Sequence, residues 1–403
     1  MKSAADNISA VPATRLAIVA THPIQYHAAW YRLLAVHPEL EIHVYYCHRA
    51  TPAEQANAGF GVEFDWDVPL LSGYPFSFLK NVARVPGDGR FGGFDTPEIK
   101  EIIRRHEYDA VMVNGWNYKS AWQAIRACWK TGVKVLVRSD SHLRTPRGFF
   151  ARIAKAAVYP RFVSRFDGCL AVGKWSREYF LRYGAKPERV FLVPHAVDNL
   201  FFSCGAERAR PMRSELRKKW GLDPEAIVFA FAGKFIEKKR PMDVVRAVDL
   251  AARRGSRLQG LMIGDGPLRR SGEEYVRNHG APVLFAGFVN QSQIPAAYAL
   301  CDVLVLPSDG ETWGLVVNEA MACGLPAIVS DQVGCGPDLI VARQTGFVFP
   351  LGDVEALASQ MLQMADNPAR LAEMGACAAR MINNYSAEAA VDNLVGCLKA
   401  ILN

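Results

Sequence analysis

The stretch Val303-Leu-Val-Leu-Pro-Ser-Asp-Gly-Glu-Thr-Trp-Gly-Leu-Val-Val-Asn-Glu-Ala-Met-Ala-Cys-Gly-Leu-Pro326 decides the fold of this chain of 403 residues. Its first four residues form a short apolar run typical of a buried strand, and a small polar loop follows. The next run has helical spacing and stops at Gly324 and Pro326, which are typical helix-ending residues. In a parallel sheet, the loop after a strand opens at the edge where ligands bind. The pattern therefore predicts a ligand-facing loop that carries Glu311 and a helix that carries Glu319.

Apolar runs alternate with amphipathic stretches along most of the chain, in two series. The first predicts strands at Arg15–Ala20, Glu41–Tyr46, Asp109–Val113, Val133–Arg138, Gly168–Val172 and Val190–Val193, with helices at Tyr26–Val36, Lys119–Lys130 and Lys174–Tyr183. The second predicts strands at Ala226–Ala232, Leu258–Ile263, Val283–Ala286, Val303–Leu306 and Ala327–Val329, with helices at Met242–Arg254, Ser292–Leu300 and Leu315–Cys323. Repeated βα units with near-continuous apolar strands indicate parallel sheets covered on both faces. We expect an α/β chain of two Rossmann-like doubly wound domains that face each other across a cleft.

The expected division of the chain has five parts. These are residues 1–13 as a disordered tail, 14–197 as an N-terminal domain, 198–222 as a linker and polar helix, 223–385 as a C-terminal domain and 386–403 as a closing helix.

The composition indicates a globular chain and excludes several protein classes. Hydrophobic residues make up 50% and charged residues 22%, which excludes disorder as the main state. The nine cysteines are scattered and show no spacing for zinc, so we expect no disulfide framework, no metal and a reducing cytosol. No run approaches the roughly 18 apolar residues of a membrane span. The first apolar run, Leu16–Ala20, is too short for a signal-peptide core.

The net charge of +7 is unevenly distributed. Residues 101–200 carry +10, residues 201–300 carry +7 and residues 301–403 carry −8. A basic middle suggests an anionic partner such as a phosphate group, an anionic membrane or a nucleic acid. No recognised nucleic-acid motif accompanies the basic stretches, so we expect no nucleic-acid partner.

Three short motifs resemble known functional signatures but do not support the functions that those signatures indicate. Gly87-Asp-Gly-Arg-Phe-Gly92 fits the dinucleotide pattern but follows no strand, and Gly264-Asp-Gly-Pro267 has Arg269 at the third glycine position. Asp65-Trp-Asp67 has the form of a metal-binding carboxylate pair, a spacing that is frequent by chance. We expect these two carboxylates to be solvated and to flank a packed Trp.

The N–H groups at the start of the helix after Glu311 suit a phosphate. They belong to Trp313, Gly314 and Leu315, and the helix dipole adds to the attraction of an anion. Carboxylates beside such a site suit sugar hydroxyls, which donate hydrogen bonds to a charged acceptor. An ordinary helix with surface glutamates would have the same pattern, so both interpretations stay open on physical grounds alone.

The spacing of Glu311 and Glu319, with seven residues between them, resembles the EX7E signature of retaining GT-B glycosyltransferases, and the neighbouring words resemble glycosyltransferase family 4 (glycosyl transferases group 1). Those words are Phe285-Ala-Gly-Phe-Val289, Ala296-Ala-Tyr-Ala-Leu-Cys-Asp302, Val305-Leu-Pro-Ser308, Glu319-Ala-Met-Ala-Cys-Gly-Leu-Pro326, Ile328-Val-Ser-Asp331 and Gly334-Cys-Gly-Pro-Asp338. The resemblance is specific over residues 190–350, whereas the N-terminal half is similar only in pattern. It implies a GT-B fold and a nucleotide-sugar donor.

The resemblance also implies a role for each matching residue. Lys234 and Lys239 would hold the donor diphosphate together with the helix start at Trp313, Gly314 and Leu315; Glu319 would bind the ribose and Glu311 the transferred sugar; Phe288 and Val289 would flank the nucleobase. The first lysine is more often arginine in the family, and lysine lacks its bidentate geometry. No cofactor or metal is implied, because lysines and helix N–H groups neutralise the leaving diphosphate.

The first domain departs from the family pattern. The Gly-Gly loop that the family commonly has after the first strand is replaced by Thr21-His-Pro-Ile-Gln-Tyr26, so we expect that loop to contact the acceptor. His22 is a candidate for this contact, and the alternative for it is a hydrogen-bonded loop histidine. Asn114 and His142 follow later strands and are further sugar-facing candidates. Asp140 is the candidate that would steady positive charge on the sugar ring, and the alternative for it is to cap the next helix.

Residues 141–166 are basic and aromatic and contain no acidic residue. Their cations are Arg144, Arg147, Arg152, Lys155, Arg161 and Arg165, and their rings are Phe149, Phe150, Tyr159, Phe162 and Phe166. Such a segment, Arg144–Arg165, can lie on an anionic membrane surface. The alternative is a domain helix with buried rings and solvated arginines.

The expected function is a retaining, metal-independent hexosyltransferase. It would move a sugar from a nucleotide-diphosphate-sugar to an acceptor hydroxyl in cell-envelope polysaccharide or lipid-linked glycan synthesis, in the cytoplasm at the inner face of the membrane. Two alternatives stay open: a GT-B nucleotide-sugar epimerase or hydrolase, and a non-catalytic nucleotide-sugar-binding protein.

Overall fold

The computed structural model describes residues 12–55, 61–105, 107–145 and 148–403. Most of the expected disordered tail therefore lies outside the described residues. The strands are β1 Thr14–Ala20, β2 Leu40–Tyr46, β3 Phe76–Phe78, β4 Ala110–Asn114, β5 Lys134–Ser139, β6 Gly168–Ala171, β7 Val190–Leu192, β8 Ile227–Ala232, β9 Leu258–Ile263, β10 Val283–Gly287, β11 Val303–Leu306, β12 Ala327–Ser330 and β13 Gly346–Phe349. The helices are α1 Gln25–Val36, α2 Pro52–Gln55, α3 Ile99–Arg105, α4 Lys119–Thr131, α5 Phe149–Val163, α6 Lys174–Arg182, α7 Asn199–Ala209, α8 Arg213–Lys219, α9 Pro241–Arg253, α10 Arg269–His279, α11 Ile294–Ala299, α12 Leu315–Ala322, α13 Gly336–Leu339, α14 Val354–Ala365, α15 Pro368–Met381 and α16 Ala387–Leu402.

The strands form two parallel sheets, and the expected α/β class with two doubly wound domains is confirmed. The strand order is β3-β2-β1-β4-β5-β6-β7 in the N-terminal sheet and β10-β9-β8-β11-β12-β13 in the C-terminal sheet. In each sheet the order reverses beside its first strand, between β1 and β4 and between β8 and β11. The loops that leave such a pair of strands diverge to opposite faces of the sheet and open a crevice at its carboxyl edge.

The strands are apolar along their length because helices cover both faces of each sheet. Leu16, Ala17 and Ile18 of β1 are all 0% exposed, although neighbouring side chains point to opposite faces. The last helix, α16, packs Leu394 and Leu398 into the N-terminal core. The end of the chain therefore returns to the first domain.

The segment Asp198–Leu222 was expected to be a linker followed by a polar helix; the polar helix is present at Arg213–Lys219, and another helix takes the place of the linker. The segment forms α7 and α8, which pack against the C-terminal domain. Arg217 is only 3% exposed because it donates to the carbonyls of Leu300, Pro224 and Ala226 and to the carboxylate of Asp302. A run of basic residues therefore predicts solvent exposure only where the protein interior offers them no hydrogen-bond acceptors.

Three observations concern the whole described chain. No helix within the described ranges is long and apolar enough to cross a membrane. All nine cysteines are described and none is in a disulfide. The part of the chain that the structure describes contains no group of three or more His, Cys, Asp or Glu side chains suited to a metal ion.

Candidate active site

The carboxyl edges of the two sheets face each other, and side chains from both domains meet there. Asn318 of α12 donates from its side-chain amide to the carbonyl of His195, beyond β7, at 3.2 Å. The N–H of Lys174, at the start of α6, donates to the Asp338 carboxylate at 3.1 Å. The two crevices therefore lie opposite each other, as a cleft that both domains line.

Glu311 and Lys239 form an ion pair at the crevice of the C-terminal sheet. Glu311 lies in the loop after β11, and Lys239 ends a short 3-10 turn in the loop after β8. Their side chains are only 16% and 22% exposed. The two loops are joined by the Asp309 N–H, which donates to the carbonyl of Lys238 at 2.8 Å. The structure thus brings together the expected diphosphate cation and the expected sugar-binding carboxylate.

Glu319 is buried on α12, and two tyrosine hydroxyls donate hydrogen bonds to its carboxylate. The Tyr26 hydroxyl donates to Oε1 at 2.8 Å, and the Tyr298 hydroxyl donates to Oε2 at 3.0 Å. Burial raises the pKa of Glu319 from 4.5 to about 7, and hydrogen bonds from Tyr26, Tyr298 and Gln291 oppose that rise. Tyr26 belongs to the N-terminal domain, so this carboxylate also joins the two domains.

The turn into α12 depends on Gly314. Its φ is 104°, and a Cβ there would lie 2.8 Å from Cδ2 of Leu306. The helix begins at Leu315, where the first N–H groups have no partner within the helix. The Trp313 side chain is buried, donates to Asn318 Oδ1 at 2.9 Å and lies 6.1 Å from the ring of His195. Trp313 therefore packs into the domain interface while its backbone starts the expected phosphate site.

Lys234 follows β8 and lines a cavity of about 590 Å³. His22, from the loop after β1, lines the same cavity, so the structure brings this acceptor candidate to a diphosphate candidate. Burial lowers the pKa of Lys234, and the positive charge of Lys239 lowers it further. Burial also lowers the pKa of His22. The His22 imidazole is therefore held neutral near pH 7.

The nucleobase candidates Phe288 and Val289 follow β10 and meet a segment of the N-terminal domain. The ring of Phe64 packs on Phe288 with centroids 4.4 Å apart. Val289 packs against the core of the C-terminal domain. The expected base site therefore lies where residues 61–69 reach across the cleft.

We had expected the carboxylates of Asp65 and Asp67 to be solvated, but that of Asp67 is hydrogen-bonded to the C-terminal domain. It accepts from the N–H of Ser292 at 3.0 Å, and the carbonyl of Asp65 accepts from the Asn290 side chain at 2.8 Å. Two carboxylates two residues apart have no fixed role from sequence; here an adjacent loop supplies the donors.

The remaining N-terminal candidates are not gathered at one point. Asn114 ends β4 and donates to the Tyr31 hydroxyl at 3.2 Å. Asp140 follows β5 and its negative charge opposes the lowering of the Arg138 pKa by burial. No helix starts directly after Asp140, so it does not cap one. His142 is 3% exposed, packs on Trp175 at 5.3 Å and is not in the wall of the cavity that His22 shares with Lys234.

Sequence reasoning missed a cluster of His27, Arg138 and His195 at the edge of the N-terminal sheet. The Arg138 guanidinium is buried, donates to the carbonyl of Pro194 at 2.8 Å and lies over the ring of Trp30. Burial and this cation lower the pKa of His27 to about 3 and that of His195 well below its usual range. Both imidazoles are therefore neutral at pH 7. Arg138 itself could have indicated this cluster in the sequence, because a charged residue is unusual in a buried strand.

The basic segment forms the helix α5 and has features of both expected forms. The cations of Arg144, Lys155 and Arg165 lie over the rings of Trp175, Tyr159 and Trp129, at 4.3, 4.5 and 3.6 Å, so aromatic faces hold them. Phe162 and Phe166 are buried, whereas Phe149 and Phe150 are 69% and 84% exposed at the start of α5. Arg147 and the side chain of Arg152 lie outside the described residues.

Two protein-family models match the chain, one in each half. The family model for glycosyl transferases group 1 matches residues 212–381, and that for Glycosyltransferase Family 4 matches residues 30–199. A D-inositol 3-phosphate glycosyltransferase of Rhodococcus jostii is 30% identical over 369 residues, which cover 82% of this chain and 76% of that protein. An alpha-D-kanosaminyltransferase of Streptomyces kanamyceticus is 30% identical over 217 residues. That alignment covers 53% of this chain and 55% of the relative, so only about half of the relative's length is matched.

A solved structure has the same architecture. Anabaena Alr3699/HepE in complex with UDP superimposes with a TM-score of 0.71 and 16% identity, over 96% of this chain and 99% of that one. At this identity the similarity shows the fold alone, and that fold is the GT-B fold that the sequence resemblance implied.

Proposed function

Because the chain belongs to glycosyltransferase family 4, we propose that it is an enzyme that transfers a hexose from a uridine-diphosphate sugar to an acceptor hydroxyl, with retention of configuration. The observation that supports this best is the ion pair of Lys239 with Glu311 at the crevice. A cation for the leaving diphosphate and a carboxylate for the sugar hydroxyls lie side by side there. The UDP complex of Alr3699/HepE suggests uridine as the nucleotide to test first.

The donor would bind across the C-terminal crevice. Its diphosphate would lie between Lys234 and Lys239 and the N–H groups at the start of α12, which include those of Trp313, Gly314 and Leu315. The ribose hydroxyls would donate to Glu319, and the base would lie beside Phe288 and Val289. Each charged hydrogen bond to the diphosphate contributes about 1.5–3 kcal/mol net.

The transfer itself needs no group beyond the donor, the acceptor and the protein. The bond from the sugar carbon to the diphosphate oxygen breaks while the acceptor oxygen bonds to the same face of that carbon. The acceptor proton passes to the departing diphosphate oxygen, which the lysines and helix N–H groups keep stabilised. Asp140, which follows β5 of the N-terminal sheet, would steady the positive charge of the sugar ring. Closure of the two domains would exclude water from this step.

The assignment is tested with Glu311→Ala and Glu311→Gln, each assayed for transfer from UDP-glucose and other UDP-hexoses. We expect loss of transfer while the cooperative unfolding transition is retained, because Glu311 lies in a loop and not in a hydrophobic core. Glu207→Ala, an exposed change on α7, is the matched control. Full activity of the Glu311 variants contradicts the assignment. Isomerised donor without acceptor supports the epimerase alternative, and UDP binding without turnover supports a non-catalytic binding protein.

We also propose that the start of α5 contacts an anionic membrane, which would suit a lipid-linked or envelope-glycan acceptor made at the cytoplasmic face. Phe149, Phe150, Ile153 and Val158 are all more than half exposed on this helix, and Arg161 is exposed near its end. Exposed rings next to cations favour an interfacial position. The contact would use few free cations, because Arg144, Lys155 and Arg165 lie over aromatic rings.

Liposome sedimentation tests the membrane contact. We expect binding to vesicles with anionic lipid, weaker binding to neutral vesicles, and loss of binding in the double variant Phe149→Ser/Phe150→Ser. Val36→Ser, which changes an apolar side chain that is 76% exposed on α1, is the control. Equal binding to both vesicle types, or no binding to either, contradicts the proposal.

A further inference from the structure

The loop between β3 and α3 explains the Gly87-Asp-Gly-Arg-Phe-Gly92 motif that has no dinucleotide role. The loop closes on itself, because the N–H of Gly87 donates to the carbonyl of Gly93 at 3.3 Å. A Cβ on Gly93 would lie 1.9 Å from the Gly87 carbonyl oxygen, so only glycine permits this closure. The base of the loop is fixed by Asn81, which donates to the Gly93 carbonyl at 3.0 Å and accepts from the N–H of Asp95 at 3.0 Å. The base of the loop is therefore closed by hydrogen bonds, and residues 88–92 form its tip.

The tip of this loop projects into the cavity that contains Lys234. Asp88 and Arg90 line it, opposite His22 and near Glu54 of α2. The backbone of Asp88 is anchored, since its carbonyl accepts from the Tyr118 hydroxyl at 3.2 Å. The negative charge of Asp88 opposes the lowering of the pKa of both His22 and Lys234, which is consistent with a position between them. A molecule in this cavity would touch Asp88 and lie next to the donor diphosphate.

The chemistry of the cavity wall favours one class of molecule. Once the diphosphate occupies Lys234, three charged side chains remain in the cavity wall: Asp88, Glu54 and Arg90. His48 also lines the cavity, and its imidazole is hydrogen-bonded to Glu54 at 3.0 Å. Carboxylates accept hydrogen bonds from hydroxyls and repel phosphates. Trp66 and Val85 add apolar surface suited to the face of a sugar ring.

We propose that Asp88 is a specificity-determining residue of the acceptor site, which accepts a hydrogen bond from an acceptor hydroxyl and selects a neutral, polyhydroxylated ring over a phosphorylated one. This inference rests on the proposed transferase function. It distinguishes the chain from the Rhodococcus relative, whose name states a phosphorylated acceptor.

The test offers the protein UDP-hexoses with paired acceptors: myo-inositol beside D-inositol 3-phosphate, and methyl glucoside beside glucose 6-phosphate. We expect faster transfer to the neutral member of each pair. In Asp88→Asn we expect a KM for the neutral acceptor that is raised at least tenfold, with unchanged UDP affinity. In Asp88→Arg we expect the preference to shift towards the phosphorylated member. Asp392→Asn, an exposed change on α16, is the control and should alter neither KM nor UDP affinity.

The outcomes separate this inference from the proposed function. Preference for the phosphorylated members, an unchanged KM in Asp88→Asn, or transfer to neither class while UDP-hexose is hydrolysed would overturn the role of Asp88 and leave the donor assignment standing. Absence of both UDP binding and UDP-hexose turnover in the unchanged protein overturns the transferase function, and the inference with it.

Discussion

The hydroxyl of Tyr26 in the N-terminal domain donates a 2.8 Å hydrogen bond to the carboxylate of Glu319 in the C-terminal domain. Tyr298 holds the other oxygen of the same carboxylate. If Glu319 binds the donor ribose, the ribose hydroxyls and Tyr26 compete for one acceptor. Donor binding is then coupled to the contact between the domains.

Tyr26→Phe should tighten UDP binding by about two- to tenfold, because the competing hydrogen bond contributes about 0.5–1.5 kcal/mol. Isothermal titration with UDP measures this directly. Tyr45→Phe, which removes a hydroxyl bonded to Tyr108 in the N-terminal core, is the control. Unchanged or weaker UDP binding in Tyr26→Phe would mean that the ribose does not displace this hydroxyl.

Glu319→Gln should change the pH dependence of stability. The folded pKa of about 7 is above the ordinary 4.5, so the native state keeps a proton that the unfolded chain has released. The contribution of this bound proton to the free energy of unfolding is therefore fully present below pH 4.5 and is lost as the pH rises through about 7. Between these pH values the free energy of unfolding of the unchanged protein should fall by up to ~3 kcal/mol relative to Glu319→Gln.

Urea denaturation of both proteins at several pH values gives this difference. The buried His27 titrates in the same region with the opposite sign, because its pKa is lowered to about 3, and it cancels when the two proteins are compared. A difference that stays constant from pH 4.5 to 7 would show that Glu319 is ionised throughout.

Lys234→Met should weaken UDP binding at least tenfold, as expected for the loss of one charged hydrogen bond. The loss should be smaller at high salt, because ions screen the interaction. Uridine, which has no diphosphate, should bind both proteins equally. Lys218→Met, at an exposed position on α8, controls for the change of net charge. An equal loss for uridine and UDP would indicate misfolding of the loop after β8.

Gly93→Ala should reduce transfer to the acceptor while UDP affinity is retained. The new Cβ would lie 1.9 Å from the Gly87 carbonyl oxygen, so the loop that carries Asp88 must rearrange. Gly92→Ala is the matched control, because a Cβ at Gly92 meets nothing within 4 Å and Gly92 does not line the cavity. Steady-state kinetics and UDP titration separate the two effects. Equal kinetics for the two variants would show that loop closure has no part in acceptor binding.

The strand pattern was largely predictable from the sequence because burial on both faces forces near-continuous apolar strands, whereas helices such as α10, α14 and α15 were not assigned. The sequence analysis assigned no strand to β3 and β13, whose residues are partly exposed at the ends of the two sheets. In Asp198–Leu222 the polar helix was predicted, but the burial of Arg217 was not, because the Leu300 carbonyl and the Asp302 carboxylate that hold it come from elements distant in sequence.

For the candidate site, the sequence by itself determined the two-domain α/β class and the local placement of Glu311, Glu319, Lys234 and Lys239 at strand ends and in a helix. These features depend on neighbours within a few residues, so local spacing suffices to predict them. Tertiary structure alone decided the pairing of Lys239 with Glu311, the occupation of Glu319 by Tyr26, and the position of Asp88 beside Lys234. Those contacts join residues 72 and 293 positions apart in the first two cases, and only the packing of two sheets edge to edge brings such groups within reach of one another.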